Sequence, residues 1–432
     1  MKNLEITSEF EQTLKLIEEG HSLFLTGKAG TGKSTLIQHF KKNTKRKVAF
    51  LAPTGLAAVN IGGQTIHSFF GFPGRLLDKN EIKKKRNRRV YQELDTIVID
   101  EASMVRADML DNIDHFLRIN GSNHNEPFGG IQMVLVGDLN QLPPVVTESA
   151  KPILAMWGYE NPFFFEADAW KESYPTIIQL TEVFRQSDEP FLSLLNKIRN
   201  REAERDDFTF LNNQHKPIPE DFQAKPYITL SSTNAIAERL NRQRLDELWT
   251  SEYVYMAEVS GSFGEKAFPA DMKLHLKVGA QVLFCKNDTE EGRWVNGTIG
   301  KVVELSTQGI KVSIKNVIEE TEVEHWVKPD KWEVYNYDFN AGKNKVEAKS
   351  VGSFTQFPLR LAWAITIHKS QGMTFDQVVI DMGRGAFAPG QTYVALSRCR
   401  TLAGIILKKP ITYKDVMVDE NVLEFSARNR LE

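Results

Sequence analysis

Cysteine is scarce in this chain: two residues in 432, Cys285 and Cys399. That excludes a disulfide framework and fits a reducing compartment. None of the nine histidines stands at zinc-finger spacing with a cysteine. No apolar run approaches the ~20 residues of a membrane span. The opening "MKNLEITSEFEQTLKLIEEG" is acidic and lacks an apolar signal core, which argues against secretory and mitochondrial targeting and predicts a cytoplasmic protein. No repeat recurs at a solenoid period. An excess of either charge is missing too: 54 Lys and Arg against 56 Asp and Glu leave a net −2. A nucleic-acid partner would therefore need a local basic channel rather than a global field. The remainder is that of a globular protein, 41% apolar and 25% charged. The length is too great for one core and predicts about three domains.

Short apolar runs alternate with helical stretches. "HSLFLTG", "KVAFLAPTG", "LDTIVIDE" and "IQMVLVGD" read as buried strands ending in Gly or an acid. Such alternation predicts a parallel α/β sheet with ligands at the carboxyl ends of its strands. "YITLSS", "QVVID" and "AGIILKK" form a second set, with helices expected at Thr233–Leu248 and Leu359–Lys369. Between them, Lys277 to about Phe357 is rich in Val, Thr, Tyr and Trp with Gly or Asn punctuation ("VNGTIG", "TQGIKVSI", "NAGKN"), the texture of a small β-barrel.

"GKAGTGKS", Gly27 to Ser34, fits G-x-x-x-x-G-K-[ST] between an expected strand and helix. Gly27, Ala29, Gly30, Thr31 and Gly32 let backbone N–H groups curl round phosphates, and the helix N-terminus adds positive dipole. Lys33 is placed to reach the β- and γ-phosphates, and Ser34 to give a hydroxyl to Mg²⁺, with Thr35 beside it. In "TIVIDEAS", Asp100 ends a strand where it can hold Mg²⁺ through water, and Glu101 can orient or deprotonate the attacking water. The bland alternative is an acidic pair capping a helix. A carboxylate on water favours a hydrolase over a small-molecule kinase. In "VGDLNQLPPV", Asp138 and Gln141 follow the next strand; the Gln amide can sense the γ-phosphate, and Pro143–Pro144 stiffen the loop.

"GKAGTGKS", "APTGLAA", "TIHSFF", "IDEASM", "GDLNQLPPV", "EVFRQ", "HKSQGMTFD" and "YVALSRCR" occur in the order of the superfamily-1 helicase motifs. The chain resembles the 5′→3′ branch, which includes the RecD and Dda helicases, and most of all the PIF (petite integration frequency) group. The resemblance covers nearly the whole chain. It implies two RecA-like domains with parallel sheets: residues 1–63 with 92–180, and 181–255 with 355–432. It further implies a small basic insertion at 64–91 and an SH3-like β-barrel at 256–354. ATP would be hydrolysed in the cleft between the domains, with Arg185 and Arg398 supplied to the γ-phosphate, where an arginine finger can give about 10³–10⁵ in rate. Gln12 resembles the family's adenine-reading Gln. The absence of a long N-terminal extension suggests a bacterial or minimal member, nucleoid-associated. The implied partners are single-stranded DNA with duplex or G-quadruplex junctions, and RNA–DNA hybrids. The implied state is a monomer, with dimerisation on DNA possible.

Single-stranded nucleic acid requires phosphate donors and flat platforms. Candidates are Pro53, Thr54 and Gly55; His67 with Phe69, Phe70 and Phe72 beyond it; Ser232, Thr233 and Asn234; and Trp294 with Asn296. At least two of the three Phe residues are expected in the core, and Trp294 is at least as well suited to one. "KKKRNRR", Lys83 to Arg89, is either a duplex-splitting wedge or a solvated face. In "AITIHKSQGMTF", His368, Lys369 and Ser370 are expected to face the strand. Gly372 would end a helix Leu359–Ile367 and turn its N–H groups towards the nucleotide. Three rivals stay open: an RNA helicase, a P-loop phosphotransferase, and a binding module with an inactive nucleotide site. The presence of Lys33 and Glu101 speaks against the last.

Overall fold

The computed structural model describes residues 7–186, 188–219, 227–265, 268–288, 290–307, 309–315, 321–340 and 345–431. The "NAGKN" turn signal falls largely outside them. The chain divides into two units, Met1–Phe184 with Glu333–Gly352 and Glu420–Glu432, and Arg185–Trp332 with Ser353–Asp419.

The first unit is built on six strands: β1 (Leu23–Gly27), β2 (Val48–Ala52), β3 (Gln64–Thr65), β4 (Thr96–Ile99), β5 (Gln132–Val136) and β6 (Thr176–Leu180). They lie in the order β3-β2-β4-β5-β1-β6, each pair parallel. Successive strand residues point to opposite faces. Phe24, Leu51, Ile97, Ile99 and Leu135 enter one core, while Leu23, Leu25, Phe50, Val98 and Val134 enter the other. Helix Ala107–Asn120 covers the first face with Leu110, Ile113 and Phe116. Helices Ser8–Glu18 and Lys33–Asn43 cover the second with Phe10, Ile17, Leu36 and Phe40. With both faces covered, the strands can be apolar throughout, which is why they read as continuous runs rather than alternating ones.

Phe69, Phe70 and Phe72 are all buried, in an aromatic cluster with Tyr91 and Phe116. None is available as a base platform. The stretch expected as a separate insertion thus begins with a sheet strand and a helix, Ile66–Phe70, folded into this core. The Lys83–Arg89 run is largely exposed beyond it, tied down where the Lys85 N–H donates to Asn120 Oδ1 at 2.7 Å.

The C-terminal helix Glu420–Arg428 belongs to the first unit, not to the second as expected from sequence. Val422 is 1% exposed in the aromatic core, and Phe425 stacks on Phe165 with ring centroids 4.3 Å apart.

In the second unit a parallel sheet runs in the order Ala364–Thr366, Ile228–Ser231, Val378–Asp381, Ile405–Leu407. Helix Asn234–Asp246 follows its second strand. An antiparallel sheet of five strands, in the order Glu322–Val327, Ile310–Lys315, Ile299–Leu305, Gln281–Phe284, Leu359–Leu361, fills the β-rich region. Trp294 is core there, 4.4 Å from the Phe284 ring centroid. The helix expected over Leu359–Lys369 is absent. That segment gives two three-residue strands and a 3₁₀ turn, His368–Ser370. Leu and Ala favour a helix locally, but each strand completes a different sheet. Asn241 holds the Ala364 backbone from both sides, accepting from its N–H and donating to its carbonyl at 2.8 and 2.7 Å.

Candidate nucleotide site and nucleic-acid contacts

β1 delivers the chain into the Gly27–Gly32 loop. Gly27 sits at φ +146°, and a Cβ there would lie 2.6 Å from the Leu180 carbonyl oxygen and 2.8 Å from Thr31 Oγ1. Gly30 and Gly32 also take positive φ, and Gly32 caps helix Lys33–Asn43 in the left-handed region. Only glycine adopts these conformations without strain. The Lys33 ammonium donates to the carbonyls of Gly27 and Lys28 at 2.7 and 3.0 Å. Thr31 is buried and donates to Lys28 O; Ala29 is buried, whereas Ser34 and Thr35 are exposed on the helix's first turn. Gln12 is exposed on helix Ser8–Glu18.

Asp100 leaves the end of β4. Burial raises its pKa, a shift opposed first by the Glu101 N–H that it accepts at 2.9 Å and then by the charge of Lys33. Glu101 occupies the left-handed region at φ 52° and ψ 43°. Such backbone in a non-glycine residue carries roughly 1–3 kcal/mol of strain and is a marker of functional sites. At the end of β5, Asp138 is 1% exposed and accepts the Gln141 side-chain amide at 3.3 Å. The sheet therefore gathers the loop, Asp100, Glu101 and the Asp138–Gln141 pair at the carboxyl ends of β1, β4 and β5.

Thr54 caps helix Gly55–Ile61, its hydroxyl accepting the Ala57 N–H at 3.3 Å, and Pro53 and Gly55 are half-buried on either side. His67 is half-buried too. Burial lowers its pKa, as does the charge of Arg106. Arg106 itself grips Asp108 through two bonds of 2.7 and 2.8 Å, an ion pair that no sequence pattern announced.

In the second unit, Arg185 donates to Ser397 O at 3.3 Å and Gln186 to Ser397 O and Cys399 O. Arg398 is only 2% exposed. Its guanidinium donates to Val394 O, Ser370 O, Met373 O and Ser397 Oγ. It is thus held by acceptors of its own unit.

Two expected nucleic-acid contacts are corrected. The Ser370 side chain is fully buried and donates to Ile367 O at 2.7 Å; Ser232 is 5% exposed and donates to Met382 O. Both hydroxyls are turned inward onto main-chain carbonyls, which also accept the N–H groups of Ser370 and Gly385 respectively. Thr233 is exposed ahead of helix Asn234–Asp246. Gly372, exposed at φ +77°, follows the 3₁₀ turn instead of ending a helix. Lys369 lines a cavity of about 220 Å³ with Arg360, Asp271 and Asn241. Burial lowers its pKa, followed by the charge of Arg360. His368 stacks near the exposed ring of Phe387, a residue passed over in sequence although it stands amid glycines in "GRGAFAPG".

A family model described as PIF1-like helicase matches residues 5–207. A relative in Bdellovibrio bacteriovorus, "ATP-dependent DNA helicase Pif1", is 34% identical over 98% of this chain and 92% of its own length. The chain belongs to the PIF1-like helicase family. A PIF1 relative in Mus musculus, also named an ATP-dependent DNA helicase, is 34% identical over 99% of this chain. The chain spans 63% of that mouse protein's length. The fold of the family extends over the whole chain: the crystal structure of Bacteroides sp Pif1 in complex with ADP-AlF4 superimposes with a TM-score of 0.89 and 36% identity, covering 99% of this chain and 98% of that one. Among the described residues, no helix is long and apolar enough to cross a membrane.

Proposed function

We propose that the chain is an ATP-dependent DNA helicase that moves 5′→3′ on single-stranded DNA and separates duplexes. The carrying observation is that the phosphate-type loop with Lys33 and the Asp100–Glu101 pair lie at the carboxyl ends of β1 and β4, where the Lys33 charge acts on the Asp100 carboxyl. A phosphate-binding loop beside a strained carboxylate suits hydrolysis. Lys33 would take the β- and γ-phosphates, with Gln12 and residues 27–35 holding the rest of the nucleotide. The exposed Ser34 hydroxyl and the buried Asp100 carboxyl are hard oxygen donors that fit Mg²⁺, which shields phosphate charge when bound. Glu101 would position the attacking water, Gln141 would sense the γ-phosphate, and Arg185 and Arg398 would neutralise the charge developing there. Thr54, His67, Thr233, His368 and Lys369 remain the proposed strand contacts.

The direction rests on the motif resemblance, as do G-quadruplex and RNA–DNA substrates, the monomer that can dimerise on DNA, and the nucleoid location. The same resemblance supports reading the five-stranded antiparallel sheet as an SH3-like barrel and the Lys83–Arg89 run as a wedge. Strand separation on 5′-tailed and 3′-tailed duplexes with ATP and Mg²⁺ tests the core of the proposal. Unwinding of the 5′-tailed duplex alone is expected. A preference for the 3′ tail overturns the direction, and no unwinding of either overturns the activity.

A further inference from the structure

Phe387 is 59% exposed, yet the loop that carries it is tied down on both sides. Its own N–H donates to Oε1 of the fully buried Gln391 at 3.1 Å. The Ala386 N–H donates to Asp415 Oδ1, and the Gly390 N–H to Met417 O. Gly385, at φ +121°, leaves no room for a side chain: a Cβ there would lie 2.8 Å from Asp415 Oδ1. The fixed loop thus holds a large apolar ring out in water. The ring is also not alone. The His368 imidazole lies nearly parallel to it, 15° between planes and 6.3 Å between centroids. Burial lowers the His368 pKa, which favours a neutral, flat ring at physiological pH. Lys369 and Arg384 are exposed and stand close to these two rings in sequence, while the Asp415 carboxylate is engaged by the Ala386 N–H.

We propose that Phe387, backed by His368, is a stacking platform for a base of single-stranded nucleic acid. Every base has a π-face, so such a platform is tolerant of sequence, while neighbouring cations attract the backbone. A protein groove would instead call for a wider apolar patch than one ring and a half-buried histidine. The inference rests on the strand-binding function proposed above.

The test is the affinity of the full chain for a labelled oligothymidine and for an abasic oligonucleotide of equal length. Phe387→Ala is expected to weaken oligothymidine binding about tenfold and leave abasic binding unchanged. Phe387→Trp is expected to retain the parent preference for bases. Equal loss on both probes, or no loss on either, overturns the platform while leaving strand binding intact. Failure of the unsubstituted chain to bind oligothymidine overturns the functional reading itself. A thermal unfolding midpoint matching the parent is expected for both variants, because the ring is exposed; a lowered midpoint in Phe387→Ala with normal affinity assigns the residue to the fold and overturns the proposal.

Discussion

The guanidinium of Arg398 donates to the main-chain carbonyl of Ser370, 3.4 Å away, and to that of Met373. One side chain thus ties the "HKSQGM" turn to the end of helix Gln391–Leu396. Arg185 reaches the same knot through the Ser397 carbonyl. The two arginines that the motifs single out therefore converge on one residue, whatever they do to a phosphate.

Arg398→Ala should be doubly damaging. It strips donors from the buried carbonyls of Ser370, Val394 and Met373, of which the first two keep the Met373 N–H and the Ser397 hydroxyl. It also empties a large buried site, a truncation that costs about 2–5 kcal/mol. Urea denaturation should show a loss of about 3 kcal/mol or more, and hydrolysis should slow at saturating ATP. Arg185→Ala removes a single described carbonyl contact and should cost about 1 kcal/mol. Equal stability of the two variants would contradict the enclosed position of Arg398.

Lys33→Ala should abolish ATP hydrolysis and unwinding with under ~1 kcal/mol of lost stability, because water can replace its bonds to the loop carbonyls of Gly27 and Lys28. Steady-state turnover with and without single-stranded DNA checks this. DNA-stimulated turnover at the parent rate rules out the loop as the phosphate site.

Glu101 separates chemistry from backbone strain. Glu101→Gln keeps the left-handed backbone and should abolish turnover while ATP and DNA remain bound. Glu101→Gly should abolish turnover equally but unfold at higher denaturant, because glycine relieves roughly 1 kcal/mol of strain. If Glu101→Gly proves less stable than Glu101→Gln, the strain assignment is wrong.

Asp100 makes stability depend on pH. Its folded pKa lies above the ordinary carboxylate value because of burial. The ionised form therefore weighs against the folded state at neutral pH, and that penalty is lost as pH falls through the folded pKa. Asp100→Asn should accordingly raise the melting temperature at pH 7 in the absence of nucleotide, and the gain should shrink towards the acidic range. A gain that grows on acidification reverses the sign and refutes the shift.

The first sheet was legible because burial on both faces writes itself into composition: "LDTIVIDE" and "IQMVLVGD" carry apolar residues at successive positions and stop at an acid. The nucleotide loop was legible because glycine spacing encodes backbone geometry directly. Leu359–Lys369 was not. Its strands exist only through pairing with Gln281–Phe284 and Ile228–Ser231, far away in the chain, and local propensity points the other way. Ser370 and Ser232 were misjudged for a related reason. A hydroxyl beside a basic residue, as at Ser370, or at a helix start, as at Ser232, reads as a phosphate donor until the carbonyl that claims it is known. The enclosure of Arg398 has no local signature either, since its acceptors come from two separated stretches.

The place of helix Glu420–Arg428 bears on how the chain comes to be folded during synthesis. Val422 and Phe425 join a core whose other members are translated far earlier, from Phe24 to Trp170. A core that starts at Phe24 is therefore closed only once residues 420–428 have been made. Until the helix leaves the ribosome, the rings of Phe165 and Trp170 lack their partner and stay open to wrong associations, the hazard that accompanies contacts of long sequence separation. A nascent chain halted at Asp419 would carry a second unit with all its strands beside a first unit still missing a wall.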